Sequence, residues 1–312
     1  MAKKSNNLAI AVDIGGTNLR TAIVDEKGKI IAKTVTKTIQ KGKNGQVVAE
    51  QVILEIKKLI LRAELLERVK GIGVSFAGPI DYKRGSGVNP PNMNFSYVPL
   101  VGPLKKLFKL PIMMINDCNA GALGEKYFGS GKKFSNLVYV TISSGIGGGA
   151  IINGNLLLGK GGNASEVGHM TVETQYNLLC TCKKGRGHWE AYASGNNMPK
   201  FFKIWAKKNN LEAELLSEAK DIFEAAERKD GIALKFMDEL GKINGRGFSN
   251  VIAAYDPELI VLSGALALNN GNLMLKYAKN NIDNFLGTPE IKISSLGENA
   301  PFLGAAASIF SL

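Results

Sequence analysis

Two stretches of the chain share one pattern: an apolar run, a glycine-rich turn, and a second apolar run. The first has residues 8–12, the turn Asp13-Ile14-Gly15-Gly16-Thr17-Asn18, and residues 19–24. The second has residues 137–142, the turn Ser143-Ser144-Gly145-Ile146-Gly147-Gly148-Gly149, and residues 150–152. Short apolar runs bounded by turn residues predict strands. Asp25-Glu26-Lys27-Gly28 and Asn153-Gly154 predict the turns that close each copy. Glycine lets a backbone come close to a bulky anion, while free N–H groups and Ser or Thr hydroxyls bind its oxygens. Two such turns predict a protein that holds a polyphosphate, and so a nucleotide-using enzyme.

The pattern elsewhere alternates helix and strand. Residues 45–69 read as an amphipathic helix, with Val52, Ile56, Leu59, Ile60 and Ala63 on one stripe. A buried strand, residues 71–76, ends in Ala77-Gly78-Pro79, and Asn89-Pro90-Pro91-Asn92 reads as a loop. Another short strand, 111–115, delivers Asn116-Asp117 to a helix from about 119 to 128. Residues 159–187 form a long irregular loop, and helices follow over about 198–209, 216–228 and 231–254. Asp256-Pro257 turns the chain into a strand at 258–262, capped by Ser263-Gly264, and residues 304–308 belong to a closing helix. This order predicts an α/β protein of two domains around a cleft. The expected division is 1–117 plus 300–312 for a small domain and 118–299 for a large one.

Two other phosphate motifs are excluded. Gly145-x-Gly147-x-x-Ala150 fits a dinucleotide fingerprint, but that fingerprint must open a helix, and Ile151-Ile152-Asn153-Gly154 reads as strand and turn. No Gly-Lys pair is followed by Ser or Thr, so there is no P-loop.

At 312 residues and 45% hydrophobic, the chain is long enough for two cores. The charged start Met1-Ala2-Lys3-Lys4 precedes only five apolar residues before Asp13, which excludes a secretory leader and predicts a cytoplasmic protein. Nothing approaches a membrane span. The net charge of +12 is spread over scattered lysines with no aromatic interleaving, so it predicts a solvated surface and no nucleic-acid partner.

The candidate chemistry lies on loops and strand ends. Asn116-Asp117 sits where α/β folds place function. Helix capping would explain Asp117 but not Asn116. The functional reading makes Asp117 a base that takes the proton of an attacking substrate hydroxyl. Asp13 could support Mg²⁺ through water. Both histidines and two of the three cysteines fall in one loop: His169, Cys180, Cys182 and His188. Two thiolates and two imidazoles suit a closed tetrahedral zinc site, which would shape the loop rather than catalyse; the alternative is unrelated cysteines and surface histidines. Glu166, Glu190 and Asn92 add the polar groups that a sugar's hydroxyls need.

Taken in order, Asp13-Ile14-Gly15-Gly16-Thr17-Asn18, Gly78-Pro79-Ile80-Asp81, Asn116-Asp117, Ser144-Gly145-Ile146-Gly147-Gly148-Gly149, Glu166-Val167-Gly168-His169, Cys180-x-Cys182, Glu190-x-x-x-Ser194 and Leu262-Ser263-Gly264 resemble the ROK family of sugar kinases. The resemblance implies the actin-like, ribonuclease H-like ATPase fold. It implies a homodimer and ATP- and Mg²⁺-dependent phosphorylation of a hexose at its 6-hydroxyl. It assigns Asp117 as catalytic base. ATP falls to the first turn (Asp13, Gly15, Gly16, Thr17, Asn18), the second (Ser144, Gly145) and Ser263-Gly264, the last at the adenosine. Sugar falls to Gly78, Asn92, Asn116, Asp117, Glu166, His169 and Glu190, with His169 also a zinc ligand.

The chain departs from the family in its metal loop, usually C-x-C-G-x-x-G-C. Lys183 replaces the glycine, one residue is inserted, and His188 stands for the last cysteine. Family repressors carry an N-terminal DNA-binding domain, for which a first strand at Leu8 leaves no room. The expectation is therefore a glucokinase or broader hexokinase. An N-acetylmannosamine or N-acetylglucosamine kinase is the near alternative, and a non-catalytic sugar sensor the distant one.

Overall fold

The computed structural model describes residues 7–63, 66–212, 216–283 and 285–311. The charged start, residues 1–4, and the side chain of Ala63 lie outside them. Backbone contacts divide the chain into two compact units. One comprises Met1–Lys133, Leu156–Ala164 and Glu298–Leu312; the other comprises Phe134–Asn155 and Ser165–Gly297.

The first unit is built on a sheet of five strands: β1 (Leu8–Ile14), β2 (Asn18–Asp25), β3 (Ile30–Lys37), β4 (Val69–Phe76) and β5 (Ile112–Asn116), in the order β3-β2-β1-β4-β5. The β1–β2–β3 meander is antiparallel, and β4 and β5 join it in parallel. Helix α1 (Gln46–Ala63) covers this sheet with Val48, Val52, Ile56 and Leu59, all buried against Ile10, Val12 and their neighbours. The helix is shorter than the stretch 45–69, because Val69 already belongs to β4. A small sheet of Ile80–Asp81, Ser86–Val88 and Tyr97–Pro99 carries the Asn89–Asn92 turn.

Helix α2 (Asp117–Phe128) packs with this unit rather than with the second, where the division at 118 had put it. Its partner is the closing helix (Ala300–Phe310), and the two touch through bare backbone. A Cβ on Gly304 would overlap the Ala120 carbonyl, and one on Gly124 the Ala300 carbonyl. Only glycine permits that approach.

The second unit repeats the sheet plan. Strands β6 (Leu137–Ile142), β7 (Ile146–Ile152), β8 (Asn155–Leu156), β9 (Leu259–Ser263) and β10 (Glu290–Ile293) lie in the order β8-β7-β6-β9-β10. Again an antiparallel hairpin is extended by two parallel strands. The duplication visible as two hairpins is thus a duplication of two whole sheets. Asn153 and Gly154 both take left-handed backbone (φ 50 and 80), the requirement of the tight hairpin turn their sequence predicts. Helices Met198–Lys208, Ala219–Glu227, Gly231–Tyr255 and Ala265–Ala278 complete the unit. Among the described residues, no helix is long and apolar enough to cross a membrane.

Candidate active site

In the first unit, register brings the chemistry to the carboxyl ends of three parallel strands. Asp13 of β1 pairs with Ser75 of β4, which pairs with Ile115 of β5; Phe76 then pairs with Asn116. The Ser75 hydroxyl donates to Asp13 Oδ1 at 2.8 Å. Arg20 Nη1 lies 3.9 Å from Asp13 Oδ2 and is itself anchored on the Glu298 carbonyl at 2.7 Å. Burial raises the Asp13 carboxyl above its ordinary range, opposed by the Ser75 hydrogen bond and by the charges of Arg20 and Lys33.

The structure settles the capping question in favour of Asn116. Its Oδ1 accepts the N–H groups of Cys118 at 2.9 Å and Asn119 at 3.4 Å, so Asn116 is the N-cap of α2. Asp117 is freed from that task and stands in the first helical turn, its Oδ1 accepting the Cys118 N–H at 3.0 Å. Burial and the nearby charge of Asp13 push its pKa up to about 7. A carboxylate poised there accepts a proton near neutral pH better than an ordinary one.

The first glycine turn is braced by its oxygens. Thr38 Oγ1 donates to the Gly15 carbonyl at 2.7 Å, the Gln40 amide donates to the Gly16 carbonyl, and Thr38 N–H donates to the Thr17 carbonyl at 2.9 Å. The Gly15 N–H closes the turn on the Asn18 carbonyl at 3.0 Å. The N–H groups of Gly16 and Thr17 have no partner among the described residues. Asn92 sits on this turn, where a Cβ on Gly16 would overlap it, and Gly78 (φ 146) admits Pro90 of the same loop.

The second turn repeats this chemistry. Gly145 accepts the Ser143 N–H at 2.9 Å, Ser143 accepts that of Gly195 at 2.7 Å, and Ser144 accepts that of Asn196 at 3.3 Å. The N–H groups of Ser144 and Gly145 are left without a partner among the described residues. The next N–H, of Ile146, donates to Glu190 Oε2 at 2.9 Å. In both turns the acceptors are tied down and the donors are spare, which is what an anion requires.

Glu190 also reaches the Cys/His loop, where its Oε1 accepts the Thr181 hydroxyl. The ligand atoms of His169, Cys180, Cys182 and His188 all lie within 4.8 Å of one another. His169 Nδ1 is 3.6 Å from Cys180 Sγ, and His188 Nδ1 is 3.8 Å from Cys182 Sγ. Zinc bond lengths of about 2.0–2.3 Å put neighbouring ligands of a tetrahedron roughly 3.4–3.8 Å apart. The donor set therefore fits such an ion. Lys183 holds the left-handed backbone (φ 58) that a glycine would adopt without strain. Burial and the neighbouring His169 hold His188 below its ordinary pKa, which favours the neutral imidazole that metals bind. His169 Nε2 faces Glu166 Oε2 at 3.9 Å. Burial raises the Glu166 carboxyl, with His169 lowering it and Glu190 raising it. Glu166, His169 and Glu190 thus form one cluster.

Beside the second turn lies a cavity of about 780 Å³, lined by Ser144, Asn196, Lys200, Glu224, Ala265 and Asn269 among others. Ser263 is buried at the end of β9 and is not part of the lining. Gly264 (φ 86) turns the chain into the helix Ala265–Ala278, whose first turns form one wall. Sequence reasoning thus stopped one residue short of this wall. It also missed Thr38, Gln40, Ser75 and Thr181. Only Ser75, in a strand aligned with Asp13, carried a usable signal.

A duplicated five-stranded sheet, two anion-ready turns and a carboxylate poised near neutrality define a kinase of the actin-like ATPase fold. The ROK family profile matches residues 9–310. Glucokinase from Pyrobaculum calidifontis is 36% identical over 302 residues, covering 96% of this chain and 93% of that one. Among solved structures, the ROK hexokinase of Thermus thermophilus superposes with a TM-score of 0.81 at 27% identity, covering 97% and 98% of the two chains. A ROK glucokinase from Streptomyces griseus, in complex with glucose and AMPPNP, gives 0.76 at 28% identity, covering 98% and 100%. The chain belongs to the ROK family, as a sugar kinase.

Proposed function

We propose that this kinase transfers the γ-phosphoryl group of ATP to the 6-hydroxyl of glucose, with Asp117 as the base. The observation that carries the reading is Asp117 itself: it is relieved of capping by Asn116, set at the carboxyl edge of the sheet, and poised near pH 7. Its carboxylate takes the hydroxyl proton as the sugar oxygen bonds to phosphorus and the bond to the ADP oxygen breaks. The spare N–H groups of Gly16 and Thr17, and of Ser144 and Gly145, hold phosphate oxygens. The cavity beside Ser144 takes the nucleoside. Gly78, Asn92, the Asn116 amide, Glu166, His169 and Glu190 hold the sugar's hydroxyls.

Asp13 would hold Mg²⁺ through water, and the ion would neutralise phosphate charge. His169, Cys180, Cys182 and His188 hold a structural zinc that fixes their loop and orients His169. The protein works as a homodimer, as its family resemblance implies, and in the cytoplasm.

The test is a coupled ADP-release assay over glucose, mannose, fructose, N-acetylmannosamine and N-acetylglucosamine. Glucose should give the highest kcat/KM. Preference for either amino sugar would move the assignment to that kinase class, and no ADP release with any sugar would make the chain a sensor. Elemental analysis of the purified protein should find one zinc per chain.

A further inference from the structure

The carboxylate of Glu190 joins two features that otherwise share no role. One oxygen accepts the N–H of Ile146, the residue that follows the spare amides of the second glycine turn. The other accepts the hydroxyl of Thr181, which stands between the metal-loop cysteines Cys180 and Cys182. Cys180 Sγ lies 3.8 Å from that same oxygen. The carboxylate also lies over the turn: a Cβ on Gly145 would come within 2.6 Å of Oε2. The rest of Glu190 is anchored, its own carbonyl accepting the Ser194 hydroxyl at 2.8 Å and the Asn197 amide at 3.1 Å. With its backbone fixed, the aim of the carboxylate depends on its end contacts with Ile146, Thr181 and Cys180.

We infer that Thr181 is a positioning residue that couples the metal loop to the phosphate-binding turn. When the loop is held by its four ligands, the Thr181 hydroxyl is held too. Glu190 then presents Oε2 to Ile146, and the turn keeps Ser144 and Gly145 N–H aimed at a phosphate. When the loop loosens, Glu190 loses its contacts on the loop side and the turn loses a brace. The metal loop would then set nucleotide affinity, beyond shaping the sugar site through His169. This coupling rests on the second turn binding the nucleotide.

The test is calorimetric titration of AMPPNP into wild type, Thr181→Val and Thr181→Ser, each metal-loaded and after chelation, with metal content measured for every sample. Loaded Thr181→Val should bind AMPPNP roughly fivefold more weakly than wild type, about the net worth of one hydrogen bond, with its metal content unchanged. Thr181→Ser, which keeps the hydroxyl, should match wild type. Chelation should weaken AMPPNP binding in wild type and weaken it much less in Thr181→Val, because the link is already cut. Equal affinities of loaded wild type and Thr181→Val would overturn the coupling. So would chelation weakening both by the same factor. A wild type that fails to bind AMPPNP at all would remove the nucleotide reading, and this link with it.

Discussion

The two glycine turns solve one problem with different braces. Each ties its carbonyls to the protein and leaves two N–H groups without a partner among the described residues. The first is held by a neutral side chain: Gln40 donates to the Gly16 carbonyl and accepts the Asn94 N–H at 3.1 Å, so the turn is locked to the loop carrying Asn92. The second is held by a charged one, Glu190, which ties it to the Cys/His loop. A turn for an anion gains from a brace that does not repel the anion. The second turn accepts a carboxylate there, and with it a dependence on a loop built to hold a metal.

The largest effect that would sharpen this comparison lies outside both turns. Asp117→Asn should lower kcat by about 10²–10⁴-fold while glucose binding, read by calorimetry, stays near wild type. Turnover within a few-fold of wild type would remove the carboxylate from the mechanism.

Next come the glycines. A Cβ at Gly16 meets the fixed Asn92 backbone, whereas one at Gly145 meets only the end of the Glu190 side chain. Gly16→Ala should therefore cost about 1–3 kcal/mol in stability by denaturant titration, and Gly145→Ala less than ~1 kcal/mol. If Gly145→Ala proved the more costly, the first turn would not be the more rigid of the two.

Smaller still, Gln40→Ala leaves the Gly16 carbonyl without its side-chain donor. It should raise the KM for ATP by roughly tenfold, in line with ~1–2 kcal/mol for a lost hydrogen bond at a partly buried group. Because Gln40 touches neither the metal loop nor Glu190 among the described residues, chelation should affect this variant as it affects wild type.

The smallest effect is on stability. A carboxyl whose pKa is raised on folding, as Asp117's is to about 7, stabilises the fold in its protonated state. That contribution is fully present below the unfolded pKa near 4 and is lost as pH rises through 7. Asp117→Asn should therefore melt ~2–4 °C above wild type at pH 8, with the difference vanishing near pH 4. A variant that melts below wild type at pH 8 would show that the ionised carboxylate is not under strain.

Much of this molecule could be read along the chain, where the signal is local. The hairpins announce themselves through Gly15-Gly16 and Asn153-Gly154, and α1 through its apolar stripe. The third strand, Ile30–Lys37, exposes Ile31, Lys33, Val35 and Lys37 and half-buries the residues between them, so its alternation marks no apolar face until β2 is there to pair with it. Helix Ala265–Ala278 contains Asn269-Asn270-Gly271, a breaker in isolation. It forms because Gly271 lets Ile293 of β10 pack against the helix. The site divides in the same way. Asp117, the glycines and the Cys/His loop carry chemistry in their own residue types. The braces Gln40 and Thr38 act across 23 or 24 residues of chain, and nothing in their neighbours marks them. Asn116 and Asp117 exchanged capping roles because either can cap, and only the backbone geometry selects Asn116.

The most direct test is the pH dependence of kcat/KM for glucose at saturating ATP, which reports the ionisation of the free enzyme's base. The acid limb should rise with a slope of one and level off around pH 7, where Asp117 loses its proton. A profile flat from pH 5 to pH 8.5 would mean that no group titrating near 7 takes the sugar's proton, and Asp117 would lose its role.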